Sequence, residues 1–255
     1  MRIKPALLYR FYEYRNAILI YYLIMVLVYT FLFAMTSNSG FVFTNINSQE
    51  TTTVSISGIE MSAIIFLFVL GLNSFTETFK MFLQNSISRK TSLTSFIIVA
   101  ICAGIGVGFI NTLIHLLLSG VERYTTIFQL IYGSRYTNVP NGIGYYFEEF
   151  LWSSLIYISV LILGFLIAAL YYRLNKLLKY IVSIGIPVFF ILILPILDVT
   201  FAKGNIHKSI SSFVSYIFGI SNGFNPYYAV TSFLVLSVVL WAISHFLVRR
   251  AVIKD

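Results

Sequence analysis

The chain has 255 residues, of which 58% are hydrophobic and 10% charged, and its mean hydropathy is +0.88. Soluble domains carry roughly half apolar and a quarter charged residues, so the balance excludes a water-soluble domain and predicts an all-α integral membrane protein. The net charge of +8 is carried by basic residues beside apolar runs, which is the signature of a membrane surface and not of nucleic-acid binding.

Crossing ~30 Å of hydrocarbon takes roughly 20 apolar residues in a helix. Runs of that kind lie at 17–35, 59–75, 93–118, 151–172, 180–199 and 228–248, and they predict six transmembrane helices forming a single domain over 1–255. The first is too long for a signal-peptide core and has no A-x-A-like cleavage site after it. Ahead of it, "KPALLYRFYEYRN" places Pro5 in a first helical turn. Leu7, Leu8, Phe11 and Tyr14 then recur at helical spacing, with Arg10 and Glu13 on the other side. This pattern predicts a short interfacial helix on the inner leaflet.

The first outer loop, 36–58, has no Lys or Arg and is too short for a folded domain. Beyond the second span, Phe75, Phe79, Phe82, Leu83 and Ile87 form one helical stripe, while Glu77, Lys80, Gln84 and Asn85 fall elsewhere. The second span therefore continues as an amphipathic helix through a segment, 76–92, whose "SISRKTS" turns the chain. Its apolar stripe either meets a partner or packs on the chain's own neighbouring spans.

The third span contains Gly104, Gly106 and Gly108. They follow no strand, which excludes a dinucleotide site, and the spacing of Gly104 and Gly108 suits close helix approach. Asn111 and His115, four apart on one face, serve either hydrogen bonds between helices or the lining of a pathway. The second outer loop, 119–147, carries the turn-forming "NVPNGIGYY".

Glu148 and Glu149 open the fourth span, where negative charge favours a helix N-terminus. Some intramembrane proteases carry Glu-Glu-x-x-x-Arg with Phe-x-x-x-His. Here the Arg position is Ser153, and His115 and His245 follow Asn111 and Trp241. Pro187 and Pro195 each remove a backbone hydrogen bond from the fifth span and permit a kink. Between the fifth and sixth spans, Ile206, Ile210, Phe213, Val214 and Ile217 face away from His207, Lys208, Ser211, Ser212 and Ser215. This predicts an amphipathic helix too short to span, interfacial or re-entrant, ending at "GISNGFNPYY".

Lys and Arg set the orientation. With the N-terminus inside, the inner segments hold Arg2, Lys4, Arg10, Arg15, Lys80, Arg89, Lys90, Arg173, Lys176, Lys179, Arg249, Arg250 and Lys254, 13 of the 17 basic residues. The outer ones hold Arg123, Arg135, Lys203 and Lys208, so both termini are predicted to be cytoplasmic. Tyrosine pairs at 21–22, 145–146, 171–172 and 227–228 fall near span ends, where amphipathic rings favour the headgroup level.

Glu60, Glu122, Glu148, Glu149 and Asp198 are assigned to outer ends or loops, and Glu50 to the first outer loop. Glu13, Glu77 and Asp255 are assigned to the inside. With no carboxylate at the midplane, an ion-coupled carrier is disfavoured. One cysteine, Cys102, and three scattered histidines give no metal-ligand spacing.

The stretch "FKMFLQNSISRKTSLTSF" resembles the intracellular segment of type-2 ABC export permeases of Gram-positive bacteria, through Asn85, Ser88, Arg89, Lys90 and Thr91. "FNPYY" resembles the Asn-Pro those permeases place before their last span, at Asn225 and Pro226, and the layout of helices is similar over nearly the whole chain.

The resemblance implies a permease subunit of the bacterial cell membrane that exports a hydrophobic or amphipathic substrate, such as a peptide toxin. It further implies two permeases and two separate ATPase subunits per transporter. No G-x-x-x-x-G-K-[ST] loop is present, so this chain is expected to be no enzyme and to bind no cofactor, with ATP and Mg held by the partner. Phe79, Phe82, Leu83, Asn85, Arg89 and Lys90 are the expected coupling residues, the first three by apolar insertion and the last two by charge at the ATPase or at lipid. Polarity alone makes Asn73, Asn111 and His115 candidates for the translocation path. The competing expectation is a secondary transporter or an intramembrane enzyme that acts without an ATPase.

Overall fold

The computed structural model describes residues 3–39, 59–119, 125–136 and 142–249. Glu50, Glu122, Arg123, most of the first outer loop, residues 137–141, and the terminal Arg2, Arg250, Lys254 and Asp255 lie outside these. The helices are α1 (Ile3–Ser39), α2 (Ile59–Gln84), α3 (Arg89–Leu118), α4 (Ile127–Tyr132), α5 (Ile143–Arg173), α6 (Lys176–Val188), α7 (Leu194–Leu197), α8 (Asn205–Ile217) and α9 (Pro226–Arg249). Among the described residues there is no strand, and six helices are long and apolar enough to cross a membrane.

The helices exceed the apolar runs because neighbours and caps continue them beyond the hydrophobic stretch. The first departure is at the N-terminus. The expected interfacial helix and the first span are one uninterrupted helix, whose apolar span is Ile3–Phe31. Along it, Ala6, Arg10, Tyr14 and Tyr21 are buried against the bundle, whereas Leu8, Phe11 and Tyr12 are exposed. In a bilayer the apolar face meets lipid, and polar groups turn inward to find partners.

The bundle is built around α5, the most buried span, with 67% of its apolar window inside. It packs on α2, α3 and α9, and α1 lies along α3 and α2. Glycines make the central contacts possible. Gly104 and Gly108 of α3 sit against Ile158 and Ser154 of α5, the close approach their spacing predicts. Gly71 of α2 and Gly164 of α5 form a second such contact. Without a hydrophobic force between helices in lipid, close backbone packing of this kind is what holds them.

The fifth span stands apart from this bundle. Its apolar window, within Lys176–Phe201, is 0% buried, and a hydrogen bond between the Tyr171 and Ser183 hydroxyls at 2.9 Å ties its start to α5. The prolines do not break it. Instead, Phe189–Ile193 and Asp198–Ala202 widen into π-helical turns, the kind of local adjustment with which membrane helices tolerate proline. Lys203 and Gly204 then reverse the chain with positive φ of 50° and 85°. Buried Asp198 accepts the N–H groups of Ile206 and His207 at 2.9 and 3.0 Å, so α8 starts on a carboxylate, as a helix N-terminus favours. The amphipathic segment is helical as expected. At the last span, Asn225 Oδ1 accepts the Tyr227 N–H at 3.2 Å with Pro226 opening α9, a cap that accounts for the Asn-Pro pair.

Candidate functional site

Two regions bring polar side chains together: the turn between α2 and α3 at one end of the bundle, and a column of buried groups that runs towards the other end.

At the turn, α2 ends in a tight reversal. Ser86 takes a left-handed φ of 57°, its N–H donates to Leu83 O at 3.1 Å, and the Ile87 N–H donates to Phe82 O at 2.9 Å. This is a Schellman motif. Asn85 Nδ2 donates to Met81 O at 2.9 Å. Ser88 then caps α3, its Oγ accepting the Thr91 N–H at 3.2 Å and meeting the Thr91 hydroxyl at 2.8 Å. The polar interruption thus ends one helix and starts the next, and Asn85, Ser88 and Thr91 are each used in doing so.

The apolar stripe of the same segment does not project outward. Phe79 and Phe82 are 1% and 2% exposed, packed on the chain's own helices. Phe79 stacks on Phe75 and meets Tyr172 edge-on, while Phe82 meets Tyr9 and lies under the Arg10 guanidinium at 5.2 Å. Of the two alternatives left open by the sequence, internal packing is the one observed. Leu83 is half-buried, and Lys80, Gln84, Asn85, Ser86, Ser88 and Lys90 form the exposed tip.

Arg10 is fully buried at the root of this turn. Its Nη1 donates to Ser74 O at 3.0 Å and its Nη2 to Ser92 Oγ at 3.3 Å, and Phe96 supplies a second ring 5.6 Å away. The hydroxyls of Tyr14 and Ser74 lie 2.5 Å apart. One arginine therefore joins α1, α2 and α3. The sequence pattern places it with Glu13 opposite the apolar side of an interfacial helix; its helical spacing with Tyr14 and Tyr21 is the signal of the buried face.

The buried column begins with Asn111, which bridges three helices. Its Oδ1 accepts from Tyr22 at 2.9 Å, and its Nδ2 donates to Tyr157 at 2.6 Å. One turn further along α3, His115 Nδ1 lies 2.6 and 2.8 Å from the two carboxylate oxygens of Glu149. Glu60 lies within electrostatic reach of both, and its Oε2 accepts the Ile127 N–H at 2.5 Å. Thr126 caps the same short α4 by accepting from Gln129 at 3.1 Å. Glu60, His115 and Glu149 are each at most 4% exposed. Glu60 and Glu149, expected at outer ends, are thus enclosed beneath α4, while Glu148 is half-buried.

Phe128, Tyr132, Tyr145 and Trp152 close this end with edge-on ring contacts. The Tyr132 phenol donates to Phe218 O at 2.8 Å, and burial pushes its pKa up to about 12. Burial, and then the Glu148 carboxylate that it donates to, push the Tyr136 hydroxyl above its ordinary range. Both phenols therefore keep their protons and act as donors at neutral pH.

Of the expected path residues, Asn111 and His115 join this column, while Asn73 is exposed on the opposite side of α2. Tyr22, Glu60, Glu149 and Tyr157 were missed as members, since nothing in the spacing along one helix shows what a second helix brings to it. Among the described residues no group of His, Cys, Asp and Glu has a metal-holding arrangement. No protein-family model, curated protein or solved structure matches the chain.

Proposed function

We propose that this chain is the permease subunit of a type-2 ABC exporter in a bacterial cell membrane, with both termini cytoplasmic. It moves a hydrophobic or amphipathic substrate, a peptide in the first instance, outward at the expense of ATP hydrolysed by a separate subunit. The observation that carries the reading is the α2–α3 turn: a rigid, doubly capped tip with an exposed polar surface, rooted in the bundle through Phe79, Phe82 and Arg10.

In this reading the ATPase grips the tip at Lys80, Leu83, Gln84 and Asn85. Phe79 and Phe82 act behind it, passing its displacement to α1 and α5 through the packing they make there. A second permease subunit is supported by the exposure of Asn73 one turn beyond the exposed apolar Met61, Ile65 and Val69 and by the unaccompanied fifth span. A lone amide facing hydrocarbon is costly unless another helix accepts it.

The test is to purify the tagged chain from its native membrane in mild detergent and assay the eluate for ATP hydrolysis and a co-purifying P-loop subunit. A stoichiometric ATPase lost in Lys80→Glu/Gln84→Glu, with insertion unchanged, is the expected result. Elution without an ATPase, under conditions that keep a control transporter intact, overturns the reading.

The enclosed Glu60, His115 and Glu149 favour a second reading, a proton-coupled secondary transporter, because titratable groups inside a bundle are what proton coupling uses. Substrate movement driven by a pH gradient in vesicles containing this chain alone would select it.

A further inference from the structure

Arg89 and Lys90 take no part in forming the turn, and both stand in the first turn of α3, where the helix dipole disfavours positive charge. Beside them ends α9, whose last turns supply His245 and Arg249. Together these four side chains surround a cavity of about 410 Å³ whose remaining walls include Leu93 and Val248. The two helix ends are fastened at this point, as Arg89 Nη1 donates to the Arg249 carbonyl at 3.2 Å. Among the described residues no carboxylate lines the cavity.

Arg89, Lys90, His245 and Arg249 all line this one cavity, with Lys90 and Arg249 exposed, and basic groups brought to one mouth favour an anion beside them. The cavity opens at the end of two membrane-spanning helices, where the sequence predicts the headgroup level, and its walls are mostly apolar, with buried Leu93 and Val248 inside and exposed Lys90 and Arg249 at its edge. An inorganic anion would use only the cations. An anionic lipid would use both, its phosphate among the basic groups and its glycerol and first acyl carbons against Leu93 and Val248.

We propose that the cavity between the start of α3 and the end of α9 is a binding site for the phosphate of an anionic phospholipid, held by Arg89, Lys90, His245 and Arg249. The site shares Lys90 with the exposed tip but lies apart from Lys80, Leu83, Gln84 and Asn85, and its lipid is read without any ATPase, whether the chain is an ABC permease or an ion-coupled carrier. Bound lipid there fastens α9 to α3 more firmly than the Arg89 hydrogen bond alone.

The test titrates the purified full-length chain in detergent with phosphatidylglycerol or phosphatidylcholine and counts retained lipid by native mass spectrometry. Wild type is expected to retain phosphatidylglycerol preferentially. Lys90→Gln and Arg249→Gln are each expected to weaken it about fivefold, the effect of one basic residue near an anionic surface. Lys176→Gln removes the same charge away from the cavity and is expected to change nothing. Lys90→Arg and Arg249→Lys keep the charge and are expected to keep the lipid, which separates loss of binding from loss of fold.

Equal retention of the two lipids overturns the proposal, as does an equal effect of the Lys176 variant. Displacement of phosphatidylglycerol by millimolar inorganic phosphate would assign the cavity to a free anion and overturn it also.

Discussion

Gly71 of α2 and Gly164 of α5 lie face to face where the two helices pack backbone to backbone. A Cβ built on Gly71 falls on the Leu161 carbonyl and comes 3.2 Å from the Gly164 Cα, and one built on Gly164 falls on the Phe68 carbonyl. The obstructing atoms are backbone and cannot turn aside. Gly71→Val or Gly164→Val is therefore expected to destabilise the chain by about 1–3 kcal/mol or more through overpacking. Gly106→Ala, which meets nothing within 4 Å, should stay within about 1 kcal/mol of wild type. Unfolding in mixed micelles distinguishes them, and equal effects at the two kinds of site would refute the close contact.

The His115–Glu149 pair predicts strong coupling. Removing one partner strands the other inside the bundle, so Glu149→Leu alone should cost about 3–5 kcal/mol, whereas His115→Leu/Glu149→Leu together should cost far less. A double-mutant cycle is therefore expected to show a coupling energy larger than the cost of His115→Leu alone. Additive single effects would mean that the two side chains do not meet.

Ser86 occupies a left-handed position that a side chain makes unfavourable by about 1–2 kcal/mol. Ser86→Gly should accordingly stabilise the turn by up to about that amount, and Ser86→Val should weaken it. Thermal denaturation in detergent reads both signs.

The root and the tip of the α2–α3 segment should separate by phenotype. Phe82→Ala empties a buried space beneath Arg10 and is expected to cost about 3–5 kcal/mol. Arg10→Lys, which cannot reach two acceptors with one planar fork, should cost about 1.5–3 kcal/mol. The exposed Gln84→Glu should leave stability within about 0.5 kcal/mol while weakening ATPase retention. A stable Phe82→Ala protein would argue against the internal packing of that ring.

The sequence by itself determined the number and approximate place of the membrane-crossing helices, because hydrocarbon demands long apolar runs wherever the chain crosses it. It also determined the local punctuation: "SISRKTS" turns the chain and "GISNGFNPYY" ends a helix, and Gly104 and Gly108 permit close packing by lacking a side chain. The tertiary structure decided which way each helix faces. Arg10 and Glu149 read as interface charges and are enclosed, while Leu8 and Phe11 stay exposed, since in lipid it is the polar groups that must find partners inside.

Only the fold could bring Glu60 and Glu149 to His115 from three helices, or turn Phe79 and Phe82 inward onto α1 and α5. Those contacts depend on the rotation of one helix about its axis relative to another. Periodicity along a single helix specifies a stripe, and its partner is chosen by packing between helices far apart in the chain.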